Sequence, residues 1–363
     1  MILPGPLFIL KTYRLRLTFS QKYATLNTYL SKHKHMKYNG EKTPHDIRYE
    51  NLLASAPSQA TMDEFVGLPN FDQARLAVDA RHLQEKQDMA AYDEDDRDAK
   101  ALEVIVAYLG NNDELFDGCS YADPGSEFDD NYHGADVVCG MKIPGRTHDV
   151  IFSLDVCSAV SPSSVAKKFG YIDRNDSKRP DIPGTSRLDY YAHYDRNTGK
   201  TRRTHIARVP NYIVGARPAT VGKSVDKFDF SEPGSIRHEQ DKDLQIELLV
   251  EIFLQARTHY LACRNLSERG KNTSEVYEMH KAVADATQAE LIRLSGTTET
   301  PPNFTKIVMD YLKQYSYDDT FRAITNEAYA RLKEQATRSK AIAAMKTADK
   351  LQKPKTNPVP KPA

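Results

Sequence analysis

Between residues 70 and 110 apolar side chains recur every three to four positions, first at Ala74, Leu76, Val78 and Leu83, then at Leu102, Val104, Ile105, Val106 and Leu109. That spacing lines one side of a helix, so two helices are predicted. The acidic run 93–96 separates them, and Gly110-Asn111-Asn112 closes the second with residues that tolerate left-handed backbone. Residues 37–70, with Asn39, Gly40, Pro44, Pro57 and Pro69, hold no sustained period and read as an irregular entry segment.

The period then changes to two. Residues 135–139 and 149–157 read as strands joined by a hairpin at Pro144-Gly145. In the second strand Val150, Phe152, Leu154 and Val156 share an apolar face, while Asp149, Ile151, Ser153, Asp155 and Cys157 share an opposite, polar one. Ser161-Pro162 offers a cap and an early proline to a helix carrying Val165, Lys167, Lys168 and Phe169. After a polar stretch, residues 205–216 form a further strand in which Pro210 predicts a bulge or an edge. From His238 onward the pattern is helical, with Leu244, Leu248, Ile252 and Leu261 on one stripe, then helices over 274–294, 303–315 and 318–345, Ser274 and Asp318 serving as N-caps.

Four stretches follow: an irregular basic N-terminal segment (1–70), an α/β core (71–235), an α-helical domain (236–345) and a disordered basic, proline-rich tail (346–363). The fold class is α/β or α+β, a small mixed sheet flanked by helices and followed by an α-helical region.

Composition narrows the function classes. Fifty Lys and Arg balance fifty Asp and Glu, so any polyanionic partner must be met by a local patch. No run approaches the roughly 20 apolar residues that span a bilayer, so no membrane partner is expected. The opening MILPGPLFIL has its charges Lys11, Arg14 and Arg16 after the apolar run, unlike a signal peptide. Cys119, Cys139, Cys157 and Cys263 form no C-x-x-C pair and suit a reducing cytoplasm.

The candidate chemistry lies in the acids. Glu103 sits on a helix, Asp136 in one strand and Asp155 in its antiparallel neighbour, so hard oxygen ligands can gather around one Mg²⁺ or Mn²⁺. The order helix with Glu103, hairpin with Gly134-x-Asp136, Asp155-x-Cys157, helix and further strand resembles the PD-(D/E)XK nuclease superfamily, including uncharacterised bacterial members, over about residues 95–220. The resemblance implies metal ligation by Glu103, Asp136 and Asp155 and hydrolysis of phosphodiesters in DNA or RNA, DNA ahead of RNA. It also implies a lysine two residues after the second acid, where this chain has Cys157. Lys167 or Lys168, on the following helix, would then supply the positive charge, with Lys142 near the hairpin as another candidate. The alternative is a catalytically inactive scaffold that binds nucleic acid, or a protein partner through the C-terminal helices.

Residues 196–223 hold Arg196, Lys200, Arg202, Arg203, Arg208, Arg217 and Lys223 without an acid, near Tyr190, Tyr191, Tyr194 and Tyr212. This stretch is the expected nucleic-acid contact, with cations for phosphates and tyrosines for stacking on bases. Other motifs are weaker. Gly199-Lys200-Thr201 lacks the first glycine of a phosphate loop, and Ser164-x-x-Lys167 lacks the companion elements of penicillin-binding proteins. His133, Cys139, His148 and Cys157 match no tight zinc-ligand spacing.

Overall fold

The computed structural model describes residues 42–90, 97–112, 114–143, 148–158, 160–172, 182–195, 198–231, 236–270, 273–296 and 304–352. The first 41 residues, the acidic run 93–96, the Pro144-Gly145 turn and residues 353–363 of the tail lie outside them.

The entry segment is more ordered than its proline content predicts. Helix α1 (Pro44–Ala54) starts at Thr43, whose hydroxyl accepts the Asp46 N–H while the Asp46 carboxylate accepts the Thr43 N–H. This reciprocal cap, with proline at the first helical position, sets the helix, and burial of Tyr49 and Leu52 holds it. A short 3₁₀ turn (Met62–Phe65) follows. The two helices predicted from periodicity are α2 (Gln73–Ala90) and α3 (Arg97–Asn111).

The sheet is built from β1 (Cys119–Pro124), β2 (Val137–Met141), β3 (Val150–Ser158), β4 (Thr185–Asp195) and β5 (Lys200–Ala216), in the order β1-β2-β3-β5-β4. Strands β1, β2 and β3 form an antiparallel meander, with α4 (Glu127–His133) between the first two. Helix α5 (Pro162–Ile172) leads out of β3, its Ser161 hydroxyl accepting the Ser164 N–H as predicted, and β5 returns parallel to β3. The sheet curls so that its outer strands meet: His193 Nδ1 of β4 lies 2.6 Å from the Asp123 carboxylate of β1, and its ring lies 4.0 Å from that of Tyr121.

Strand β5 changes partner at Pro210. Residues up to Pro210 pair with β4, and from Asn211 onward with β3. A residue without an N–H sits where one ladder ends and the other begins. Past that point β4 no longer covers the second edge of β5, and the long helix α7 (Lys242–Ser267) does so with side chains. Gln255 accepts the Ile213 N–H at 2.8 Å and donates to the Ile213 carbonyl, while Glu251 accepts the Gly215 N–H at 2.9 Å. These polar residues of α7 are fully buried because they act as the missing strand.

After β5 come α6 (Pro218–Val225), a small hairpin of β6 (Phe228–Asp229) and β7 (Arg237–His238), then α7, α8 (Ser274–Leu294), α9 (Phe304–Gln314) and α10 (Asp319–Gln352). Asp318 caps α10 as predicted, accepting the N–H groups of Thr320 and Phe321. Thr273 takes the α8 cap position in place of Ser274, and α10 runs on to Gln352, past the expected end at 345. One apolar core is continuous from Leu102 and Ile105 of α3, through Phe152, Leu154, Tyr212 and Val214 of the sheet, to Leu248 and Ile252 of α7 and Phe321 and Ile324 of α10.

The polar face predicted for β3 is not a solvent face. Ser153, Asp155 and Cys157 are all buried, because Gly134 and α5 lie over that side. Asp136 lies one residue ahead of β2 instead of within it.

Candidate functional site

Asp155 points from the middle of β3 into a cluster that also contains Asp136, at the mouth of β2, and Asp130, on α4. Glu103 and Lys100 reach it from α3 and Lys168 from α5. Each position follows from local structure. The antiparallel β2–β3 register sets Val137 opposite Leu154, so Asp136 stands beside Asp155 at the strand end. Its Oδ2 accepts the Val156 N–H at 2.6 Å and its own N–H donates to the Leu154 carbonyl at 3.0 Å, closing the ladder where β2 has ended. Gly134, at φ +58°, makes the preceding turn, and a Cβ there would lie 2.9 Å from the Asp155 Oδ2.

Opposite charges compensate the buried acids. Lys168 Nζ forms an ion pair with Asp155 Oδ1. Lys100 Nζ lies 3.0 Å from the Glu103 carboxylate and 3.3 Å from Asp130, which also accepts from Gln59 Nε2 at 2.8 Å. Asp130 and Asp136 share a hydrogen bond, which requires one proton between two carboxyl groups. Burial, together with the charges of Asp130, Glu103 and Asp155, raises Asp136 well above the usual carboxylate range. Burial also raises Asp155, although Lys168 pulls the other way. For Asp130 burial acts upward, but the Lys100 charge and its hydrogen bonds prevail and lower it. Burial lowers both lysines, and their carboxylate partners more than offset it, so each ammonium is held charged.

The structure thus gathers Glu103, Asp136, Asp155 and Lys168 at one place. Lys167, one residue from Lys168, is on the exposed side of α5. Sequence reasoning missed Lys100 and Asp130. Lys100 carries a signal, standing three residues before Glu103 on the same helix face. Asp130 carries none, because α4 is a short acidic helix between turn residues. At the position where the resemblance implies a lysine, the Cys157 thiol is buried, donates to the Val214 carbonyl at 3.4 Å and is pushed well above its usual pKa by burial. It is a core residue and an inert thiol.

Among the described residues no group of three or more His, Cys, Asp or Glu side chains is arranged to hold a metal ion. The carboxylate oxygens are of the donor type that hard cations take, and Lys100 and Lys168 already supply positive charge beside them. The missing side chain of Gly134 lets the Asp155 carboxylate pack directly against the turn. Of the zinc candidates, His133 is taken up by Asp189, 3.1 Å from its Nε2, and Cys139 lies against Cys119 in the core.

Residues 200–208 of the basic stretch form the outer half of the β4–β5 ribbon, while Arg217 and Lys223 lie at the start and end of α6. Lys200 and Arg202 are exposed, Arg208 is half-buried, and Arg203 pairs with Glu64 at 2.5 Å. Arg196 lies outside the described residues. Of the four tyrosines only Tyr194 is exposed, at 54%; Tyr190, Tyr191 and Tyr212 are buried in the core and do not offer rings to bases. Asp155 is level with Ile213, five residues beyond Arg208. At about 3.3 Å per residue this sets Arg208 roughly 16 Å along the strand from the acids, with Lys200 and Arg202 farther out.

No helix among the described residues is long and apolar enough to cross a membrane. No protein-family model matches the chain, and no curated protein or solved structure is detectably similar to it.

Proposed function

We propose that the protein is a divalent-metal-dependent hydrolase of nucleic-acid phosphodiesters. The observation that carries this reading is the convergence of Asp136 and Asp155, from adjacent strands, with Lys168 from the next helix. Asp136 and Asp155 would hold Mg²⁺ or Mn²⁺, which when bound polarises a phosphodiester and lowers the pKa of a water. Lys168, freed from Asp155, would face the charge that develops on the phosphate, the role the resemblance gives to a lysine at position 157. The element order α3, β1 to β3, α5, β5 supports the PD-(D/E)XK resemblance, and the exposed Lys200 and Arg202 supply phosphate contacts away from the reacting centre.

A second reading, an inactive scaffold, draws on the ion pair that already neutralises Asp155 and on the core position of Cys157. One experiment separates the two. Full-length protein is incubated with labelled single- and double-stranded DNA and RNA, with Mg²⁺, Mn²⁺ or a chelator. Metal-dependent cleavage that falls by about 100-fold or more in Asp155→Asn and Lys168→Met supports the hydrolase. Salt-dependent binding without cleavage supports the scaffold.

A further inference from the structure

Two imidazoles lie where the helical side packs on the sheet, and the acidic cluster makes no use of them. His259 of α7 and His280 of α8 are buried, with ring centroids 5.2 Å apart. The Tyr212 hydroxyl of β5 lies 2.9 Å from His280 Nδ1. The other groups facing the pair are the Cys263 thiol, one turn along α7, and the Pro183 carbonyl ahead of β4; Glu251, two turns back on α7, is turned to the Gly215 N–H. Burial keeps both the phenol and the thiol protonated, the thiol at about 12, so neither offers a negative charge. His280 is held well below the ordinary imidazole value of 6.5 by burial and then by His259, with the Pro183 carbonyl pulling the other way. The pair also leans on a connection to the acids. Gly184, at φ +74°, lies directly on the His259 ring, where a Cβ would come within 2.2 Å. The Gly184 carbonyl accepts the Asn211 N–H at 2.9 Å, and the Asn211 side-chain amide donates to the His133 and Gly134 carbonyls at 3.3 Å. Gly134 in turn packs on the Asp155 carboxylate.

We infer that His259 and His280 form an acid sensor: protonation loosens α7 and α8 from β5 and, through Gly184 and Asn211, frees the Gly134 turn from Asp155. Two charged rings at this spacing repel, and a desolvated imidazolium draws in water, so the packed arrangement belongs to the neutral pair. The direction follows from linkage. The unfolded chain takes up a proton at about 6.5 and the fold resists it, so stability is full above that value and is lost as pH falls below it. One ring changes the folding equilibrium by about tenfold per pH unit. The sensor needs no catalytic role for the acids, so it stands or falls apart from the hydrolase reading.

The test is hydrogen exchange of the full-length protein at about pH 7.5 and about pH 5.5, read by mass spectrometry and corrected for intrinsic rates. In wild type, protection of β5, of α8 and of residues 131–137 is expected to fall by about tenfold or more at the lower pH. His280→Gln keeps a polar partner for Tyr212 and cannot take the proton, and its protection is expected to fall by less than about threefold. Unchanged protection in wild type, or an equal fall in a folded His280→Gln, overturns the sensor. A fall in β5 and α8 with residues 131–137 unchanged overturns the connection to Asp155. If circular dichroism shows that His280→Gln does not fold, the wild-type imidazole resonances decide. Rings that stay neutral down to the pH at which protection falls support the sensor, and rings that titrate near 6.5 with protection intact overturn it.

Discussion

Gly134 meets two demands at once. It closes α4 with left-handed backbone at φ +58°, and its missing side chain leaves room for the Asp155 carboxylate. An alanine would bear the left-handed penalty of about 1–2 kcal/mol and set a methyl 2.9 Å from Asp155 Oδ2. Gly134→Ala is therefore expected to lower stability in urea denaturation by about 1–2 kcal/mol and to weaken Mn²⁺ binding. A variant with unchanged metal affinity would mean that the close packing of Gly134 on Asp155 does not set the position of that carboxylate. The sequence supplied the Gly134-x-Asp136 pairing and the choice of Lys168 or Lys167, because strand period and helix start set where those residues stand. It did not supply Asp130, the second acid on Lys100, because that residue arrives from α4, whose placement depends on tertiary packing.

At the scale of elements, legibility followed the regularity of burial. Helices α2, α3 and α7 to α10 and strands β2, β3 and β5 have periodic apolar positions and were read from them. Strand β4 reads as a polar stretch in the sequence because its side chains serve different neighbours. Tyr190 enters the Phe65–Phe71–Phe128 cluster, Asp189 pairs with His133 and Arg75, and His193 with Asp123. Two register shifts against β5 break its alternation. The buried polar residues of α7 were likewise hidden, since covering a strand edge with glutamine and glutamate leaves no hydrophobic signature. That arrangement has a pH consequence. Glu247, one turn from Glu251, is raised from 4.5 to about 8 by burial and then by the charges of Asp318, Asp241 and Asp243, while the Tyr317 hydroxyl, 3.5 Å away, acts in the opposite direction. Glu251, raised well above its ordinary value by burial, adds to the same environment. A carboxyl held above its unfolded value favours the protonated fold. Its stabilisation is full below about pH 4.5 and is lost as pH rises through about 8, at up to about 1.4 kcal/mol per pH unit. Glu247→Gln keeps the shape and removes the titration. In urea denaturation across pH 5 to 9, it is expected to lose less stability with rising pH than wild type; equal slopes would remove Glu247 from the linkage.

At the scale of the whole molecule, the zero net charge is a balance of local excesses, with the exposed cations out on the β4–β5 ribbon and the buried acids at the β2–β3 end. The change to a helical pattern sets a boundary at 235, but the core crosses that line. Tyr212 of β5 is fully buried, its hydroxyl 2.9 Å from His280 Nδ1 on α8 and its ring 6.5 Å from that of His259 on α7. The Ile213 and Gly215 amides have their second-edge partners on α7, and Arg217 N–H and the Thr220 hydroxyl donate to Asp318 at the start of α10. Without residues 236–352 these backbone groups would be exposed or unpaired, each unpaired buried group costing about 1–3 kcal/mol, and the apolar side of β5 would lose its cover. A fragment of residues 71–235 is therefore expected to show no cooperative thermal transition and to bind a hydrophobic dye, while the full chain unfolds in one transition by circular dichroism and calorimetry. A fragment that melts cooperatively within a few degrees of the full chain would show that the sheet is a self-sufficient domain and that α7 only decorates it. A single transition in the full chain, lost in the fragment, ties the geometry of Asp136 and Asp155 to α7 through β5. Substitutions on the helical side, such as Gln255→Leu, would then alter the site without touching it.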